Sequence, residues 1–307
     1  MLTTLTRKGY VTINNPDKFE IYYEIHGKEG KEINKLLFIM GLFSTSLSWE
    51  SQVKYFGNHP DYQVCVFDNR GAGWSDAPSG LYSTSQMAQD VVELLEHLGW
   101  TENVHVIGIS MGGMIAQELA LAKPHYIKSL CLTSSSPGRS LMPITGITSI
   151  SKLLFMKDPE TRVKIALKLI YPQEHLEIPA PEGSPHKTYE DIFTEVFLDR
   201  IKKTRKQPMK GAVGQLAACS FHHVSPSKLE QIKNTISHIL VVTGTWDNLI
   251  RPQNSFYLAK HLGVDVECWE GSGHALCSEK PEKYNELLER HFRKACEMRD
   301  DGDEVDN

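Results

Sequence analysis

The sequence has no apolar run approaching the ~20 residues that a membrane-spanning helix needs, and its opening, MLTTLTRKGY, lacks the apolar stretch of a secretory signal. Its six cysteines, Cys65, Cys131, Cys219, Cys268, Cys277 and Cys296, fall without C-x-x-C spacing, and no Asn-x-Ser/Thr sequon accompanies them. They read as reduced packing thiols rather than as a disulfide framework or a metal set. There is no phosphate-binding G-x-x-x-x-G-K-[S/T] and no H-E-x-x-H, and Gly71-Ala72-Gly73 reaches Asp76 where a dinucleotide fingerprint wants glycine. Positive charge is also missing. The chain carries a net −5, and residues 297–307 alone hold six acids and one arginine, so residues 1–296 are neutral. A neutral body lacks the concentrated positive field that nucleic acid requires. These absences lead us to expect a cytoplasmic protein with no nucleic-acid partner, no cofactor and no metal.

What is present is an ordinary globular composition, 40% hydrophobic and 23% charged, over 307 residues. That is about twice the usual ~150 residues of one domain, enough for one large domain with an insertion. Eight strand-like runs occur at Gly9–Ile13, Phe19–His26, Leu36–Met40, Gln63–Asp68, Val104–Ile109, Ile127–Thr133, His238–Thr243 and Val264–Trp269. Several are continuously apolar, as strands covered on both faces are. Helix-period segments such as Ser85–Leu98, Met111–Ala122, Gln253–Leu262 and Pro281–Phe292 separate them. The alternation predicts an α/β fold, a mostly parallel eight-stranded sheet with helices on both faces. The short Asn14-Asn15-Pro16-Asp17 link makes the opening pair an antiparallel hairpin at the sheet edge.

From Pro137 to Ser225 the rhythm breaks, and apolar helical stretches (Leu141–Met156, Thr161–Tyr171, Asp191–Lys203, Lys210–Phe221) follow one another without a clear strand. We therefore divide the chain into a core of residues 1–136 and 226–296, a helical insertion of 137–225, and a disordered acidic tail of 297–307. The insertion has thirteen Lys/Arg against nine Asp/Glu, and six of the basic residues lie in Arg200–Lys210. This run reads as a solvated helix face and loop, the alternatives being an anion site or peripheral membrane contact together with Leu141–Met156.

The sharpest local signal is Gly108-Ile109-Ser110-Met111-Gly112, which follows an apolar strand and opens a helix. A nucleophile at the tip of a tight strand-to-helix turn has strained backbone angles, so its neighbours two residues away on either side must be small. A serine hydroxyl also needs a histidine base and a carboxylate to orient that base. Asp247 follows strand His238–Thr243, and His274 follows strand Val264–Trp269 in the Gly-rich loop Gly271-Ser272-Gly273. Ser134-Ser135-Ser136, after strand Ile127–Thr133, offers no carboxylate, which favours Asp247. His222-His223 reads as pocket-lining or packing rather than as a metal pair. Cys277, three residues after His274, reads as a packing thiol, with oxidation near the site as the alternative.

These blocks, with Met40-Gly41-Leu42-Phe43 through Trp49 and Asp68-Asn69-Arg70-Gly71-Ala72-Gly73-Trp74-Ser75, resemble the α/β-hydrolase fold superfamily over residues 10–295. Within it the chain is most similar to small esterase-like members resembling lactonases and cofactor-free haloperoxidases. The resemblance implies that the inserted helices form a cap, or lid, and that the Asp68–Ser75 loop is structural support. It also implies an oxyanion hole from the amides of Leu42 and Met111, with Met40 standing where most members have histidine. Relatives that dehalogenate or open epoxides use aspartate as nucleophile, which Ser110 excludes. The expected activity is serine-dependent hydrolysis of a small-molecule carboxylic ester or lactone, with Phe43, Trp246 and Leu249 lining an apolar pocket. Acyl transfer, perhydrolysis or C–C bond hydrolysis on the same residues is the alternative, as is a receptor-like role with negligible turnover.

Overall fold

A computed structural model of the chain describes residues 4–14, 18–30, 33–138, 150, 152–153 and 155–297. The central link of the opening hairpin, most of the stretch 141–156 and all but the first residue of the acidic tail lie outside the described residues. Eight strands form one sheet: β1 (Leu5–Ile13), β2 (Phe19–Gly27), β3 (Asn34–Ile39), β4 (Tyr62–Phe67), β5 (Val104–Ile109), β6 (Ile127–Thr133), β7 (Ile239–Gly244) and β8 (Val266–Trp269). Their order is β1-β2-β4-β3-β5-β6-β7-β8. β1 and β2 pair antiparallel at the edge, as expected, but β2 also pairs antiparallel with β4. Everything from β4 to β8 is parallel. The last strand is shorter than its apolar pattern suggested, beginning at Val266 rather than Val264.

The sheet is covered on both faces, which is why β4 and β5 are buried at every position. One face packs against α2 (Thr84–Leu98), α3 (Met111–Ala122), α8 (Pro226–Thr235) and α9 (Gln253–Leu262), burying Val91, Leu95, Ile115, Leu119, Ile232 and Leu258. The other packs against α1 (Glu50–Gly57) and α10 (Pro281–Glu297), where Trp49, Phe56, Tyr284, Leu288 and Phe292 form an aromatic-rich layer. Each such side chain removed from water contributes about 1.5–3 kcal/mol. Local signals agree with this packing. Ser83 and Gln86 close a reciprocal capping box at the start of α2, and Gly99 ends the helix in the left-handed conformation with φ 69°.

Between β6 and β7 the described chain forms α4 (Pro159–Ile170), the short α5 (Gln173–Leu176), α6 (Tyr189–Lys202) and α7 (Met209–Phe221). Among the described residues the extended pairings in this region are two isolated bridges, Gly138 with His223 and Pro179 with Thr188. α4 and α6 meet through Val163, Leu167, Tyr171 and Phe193, and the Tyr171 and Phe193 rings stack at 4.6 Å. α7 lies so close to the core that a Cβ on Gly211 would meet the Gly71 carbonyl oxygen at 2.3 Å. Because β3, β5, β7 and β8 are parallel, the loops that follow them all emerge at one edge of the sheet. In open α/β sheets that edge is where ligands bind.

Candidate active site

Ser110 stands between β5 and α3 with φ 57° and ψ −122°, a conformation costing about 1–3 kcal/mol for a residue with a Cβ. Its neighbours make the turn possible. A Cβ on Gly108 would lie 2.4 Å from the Gly112 carbonyl oxygen, and one on Gly112 would lie 2.1 Å from that of Ile39. The Ser110 amide donates to the Thr133 carbonyl at 2.9 Å, and the Ser135 hydroxyl donates to the Ser110 carbonyl at 2.9 Å. The strained residue is thus held from both sides, with its side chain at the N-terminus of α3.

Asp247 and His274 come together as the sequence suggested. His274 Nδ1 is 2.8 Å from Asp247 Oδ2, with both side chains buried. The other carboxylate oxygen, Oδ1, accepts the amides of Leu249 at 2.9 Å and Ile250 at 2.8 Å, so the Asp247 side chain is fixed independently of the histidine. The histidine loop is held from the insertion, where the Ile170 carbonyl accepts the His274 amide at 2.9 Å, and from the core, where Glu279 accepts the Gly273 amide at 2.8 Å. Ser110 and His274 line one cavity, together with Met40, Gly41, Leu42 and Phe43.

The loop after β3 curls against the serine. A Cβ on Gly41 would sit 3.1 Å from Ser110 Cβ, and Phe43 has φ 59°. Among the described residues no acceptor in the chain takes the amide of Leu42 or that of Met111, the first residue of α3. Met40 lines the cavity and uses its carbonyl to accept Asn69 Nδ2 at 2.9 Å. Asn69 belongs to the loop read as structural support, and the rest of that loop behaves accordingly. Asp68 accepts the amides of Ser46 and Trp74, each at 2.8 Å, and burial pushes its carboxyl up while those amides hold it down. Arg70 makes a buried two-point contact with Asp90, and its guanidinium lies over Phe19. Gln215 of α7 ties this loop to the site, donating to the Arg70 carbonyl at 2.9 Å and accepting the Phe43 amide at 3.3 Å.

Other expected residues fall elsewhere. Phe43 and Leu249 line the cavity, but Trp246 does not; its amide donates to the Ser272 carbonyl, and the chain reverses direction at Asp247. His222 is buried against Thr84, with Nδ1 2.8 Å from its hydroxyl, and neither it nor the exposed His223 lines the cavity. Cys277 does line it, but burial pushes its thiol up to about 12, which leaves the reactive thiolate scarce. Arg200, read as part of a solvated basic run, sits in the cavity wall instead. Its signal in the sequence was confined to a place in the last turn of an amphipathic helix.

A family model described as the alpha/beta hydrolase fold matches residues 34–281. The chain belongs to that family and is accordingly an enzyme of the hydrolase class. It is 24% identical over 254 residues to 3-oxoadipate enol-lactonase 2 of Acinetobacter baylyi, covering 81% of this chain and 86% of the relative. It is 25% identical over 280 residues to a non-heme chloroperoxidase of Streptomyces lividans, covering 89% and 96%. Among solved structures, the enol-lactonase of Burkholderia xenovorans LB400 superposes with a TM-score of 0.75 at 19% identity, covering 93% of this chain and all of that one.

Proposed function

We propose that the chain is a serine hydrolase cleaving carboxylic esters or lactones through an acyl-enzyme. The observation that carries this reading is the buried 2.8 Å contact between His274 and Asp247, made beside a strained Ser110 in the same cavity. Ser110 Oγ attacks the carbonyl carbon while its proton passes to His274 Nε2. Asp247 holds the ring in the tautomer that presents Nε2 as acceptor and stabilises the imidazolium that forms. The oxyanion of the tetrahedral intermediate accepts the amides of Leu42 and Met111. Collapse of the intermediate breaks the ester C–O bond, and the leaving oxygen takes the proton from His274. Water, deprotonated by the same histidine, then releases the acid and regenerates Ser110. In a lactone the leaving oxygen remains part of the acyl chain, so nothing departs until water releases the hydroxy acid in that second step.

The inserted helices act as a cap that sets substrate size, since Ala166, Leu169, Ile170, Phe197 and Arg200 all line the cavity. Phe43, Leu249, Ile150 and Leu153 supply apolar wall for an acyl or alkyl chain. The similarity to lactonases supports cyclic as well as open esters. The test is turnover of a p-nitrophenyl ester chain-length series and of simple lactones by purified protein. Activity that falls by several orders of magnitude in Ser110→Ala supports the reading, and activity equal to that of the unaltered protein overturns it.

A further inference from the structure

The insertion puts one permanently charged group into the wall of the cavity that holds Ser110 and His274. Arg200, in the last turn of α6, lines it beside Ser44, Ser48, Phe197 and Ser278, and no carboxylate is among the described lining residues. Its guanidinium lies over the Phe197 ring at 5.5 Å, and the side chain is 16% exposed. Its positive charge reaches Cys277, three residues beyond His274, where it works against the upward push of burial on that thiol.

The guanidinium is poorly matched among the described residues. The acid within reach is Glu50, whose carboxylate is 3.7 Å from Nη2, beyond hydrogen-bond distance, and 65% exposed to screening water. Nε is buried and has no acceptor among the described residues. A buried donor without a partner carries a desolvation cost, larger when the group is charged. The guanidinium is planar, and its paired N–H donors match the spacing of the two oxygens of a carboxylate. Much of the remaining wall is apolar (Leu42, Ile150, Leu153, Leu169, Leu249), so the cavity combines one cationic residue with room for a hydrocarbon chain.

We propose that Arg200 is a substrate-recognition residue that takes a carboxylate carried by the substrate at a distance from the scissile bond. The preferred substrates are then half-esters of dicarboxylic acids, or lactones bearing a free carboxylate. This rests on the hydrolase reading above, and the binding arm of its test requires no turnover.

The mono-p-nitrophenyl ester of adipic acid and p-nitrophenyl hexanoate share an acyl chain length and differ by the terminal carboxylate. The ratio of their kcat/KM values falls roughly ten- to hundredfold in Arg200→Gln, the worth of a charge-assisted hydrogen bond, and the loss appears mainly in KM. Arg200→Lys, which keeps the charge without the paired donors, retains part of the preference. Adipate binds the unaltered protein at millimolar concentration or tighter by calorimetry, and Arg200→Gln abolishes that binding. A ratio unchanged within twofold, or adipate binding indifferent to the substitution, overturns the proposal. If Arg200→Gln does not fold, adipate titration of the unaltered protein decides, and absence of binding at millimolar concentration overturns it. Adipate binding that depends on Arg200 in a chain that turns over no ester sustains this inference and defeats the hydrolase reading. Ester turnover without an Arg200-dependent preference defeats this inference alone.

Discussion

The amide of His274 donates to the carbonyl of Ile170 at 2.9 Å, so the last residue of the first described inserted helix holds the proposed base. The helices that line the cavity and the loop that carries the proton-transfer residue are therefore mechanically connected. A shift of α4 displaces the imidazole.

Gly273→Ala tests that connection. A Cβ at this position would stand 2.5 Å from the Ile170 carbonyl oxygen and 2.9 Å from Pro172 Cδ, and both obstacles belong to the main chain or to a rigid ring. The substitution must push the histidine loop away from α4. We expect kcat/KM on p-nitrophenyl butyrate to fall roughly a hundredfold, as misplacement of a reacting group by about 1 Å does, with the circular dichroism spectrum retained. Unaltered kinetics would show that the contact does not position His274.

Gln215→Leu removes a second tie between insertion and core. Gln215 is completely buried, and it pairs with the Phe43 amide, the Arg70 carbonyl and, at 3.1 Å, the side chain of Gln207. Leucine fills similar space but removes those hydrogen bonds, at about 0.5–1.5 kcal/mol each. The midpoint of urea unfolding should drop accordingly. Because Leu42 precedes Phe43, kcat should fall about tenfold as the proposed oxyanion donor loosens. A stability loss with kcat unchanged would separate Gln215 from the chemistry.

Acid should destabilise the fold through buried neutral histidines. Burial pushes His222 and His291 down to about 4 and His105 well below its ordinary value. Each native value lies below the ordinary 6.5, so the unfolded chain binds protons that the native chain refuses. Stability is complete above 6.5 and declines as pH falls from there toward about 4. Between neutral pH and pH ~5 the loss is on the order of 2 kcal/mol for each of His222 and His291, readable by urea unfolding at each pH. His222→Gln should flatten that slope. Equal stability across the interval would contradict the assignment.

The positions of the proposed Ser110, Asp247 and His274 were legible in the sequence because each lies in the turn or loop after a strand, where a change of period locates the element end without tertiary information. Arg200 was not. It opens a run of six basic residues, and which of them enters the cavity depends on how α6 packs against α4 and the core. Trp246 and Leu249 were equivalent apolar neighbours of Asp247 in the sequence. The turn in which Asp247 accepts the Leu249 and Ile250 amides carries Leu249 into the cavity and leaves Trp246 outside. The antiparallel pairing of β2 with β4 escaped for a similar reason: alternation of strands and helices reports neighbours along the chain, and these two are separated by β3.

The most direct measurement of the central claim is intact and peptide-level mass spectrometry after rapid acid quenching of the protein with excess p-nitrophenyl butyrate. We predict a butyryl adduct on the peptide containing Ser110, absent in Ser110→Ala and strongly diminished in His274→Ala, where the hydroxyl lacks its base. Ester turnover with no adduct at Ser110, or an adduct on another residue that persists in Ser110→Ala, would contradict it.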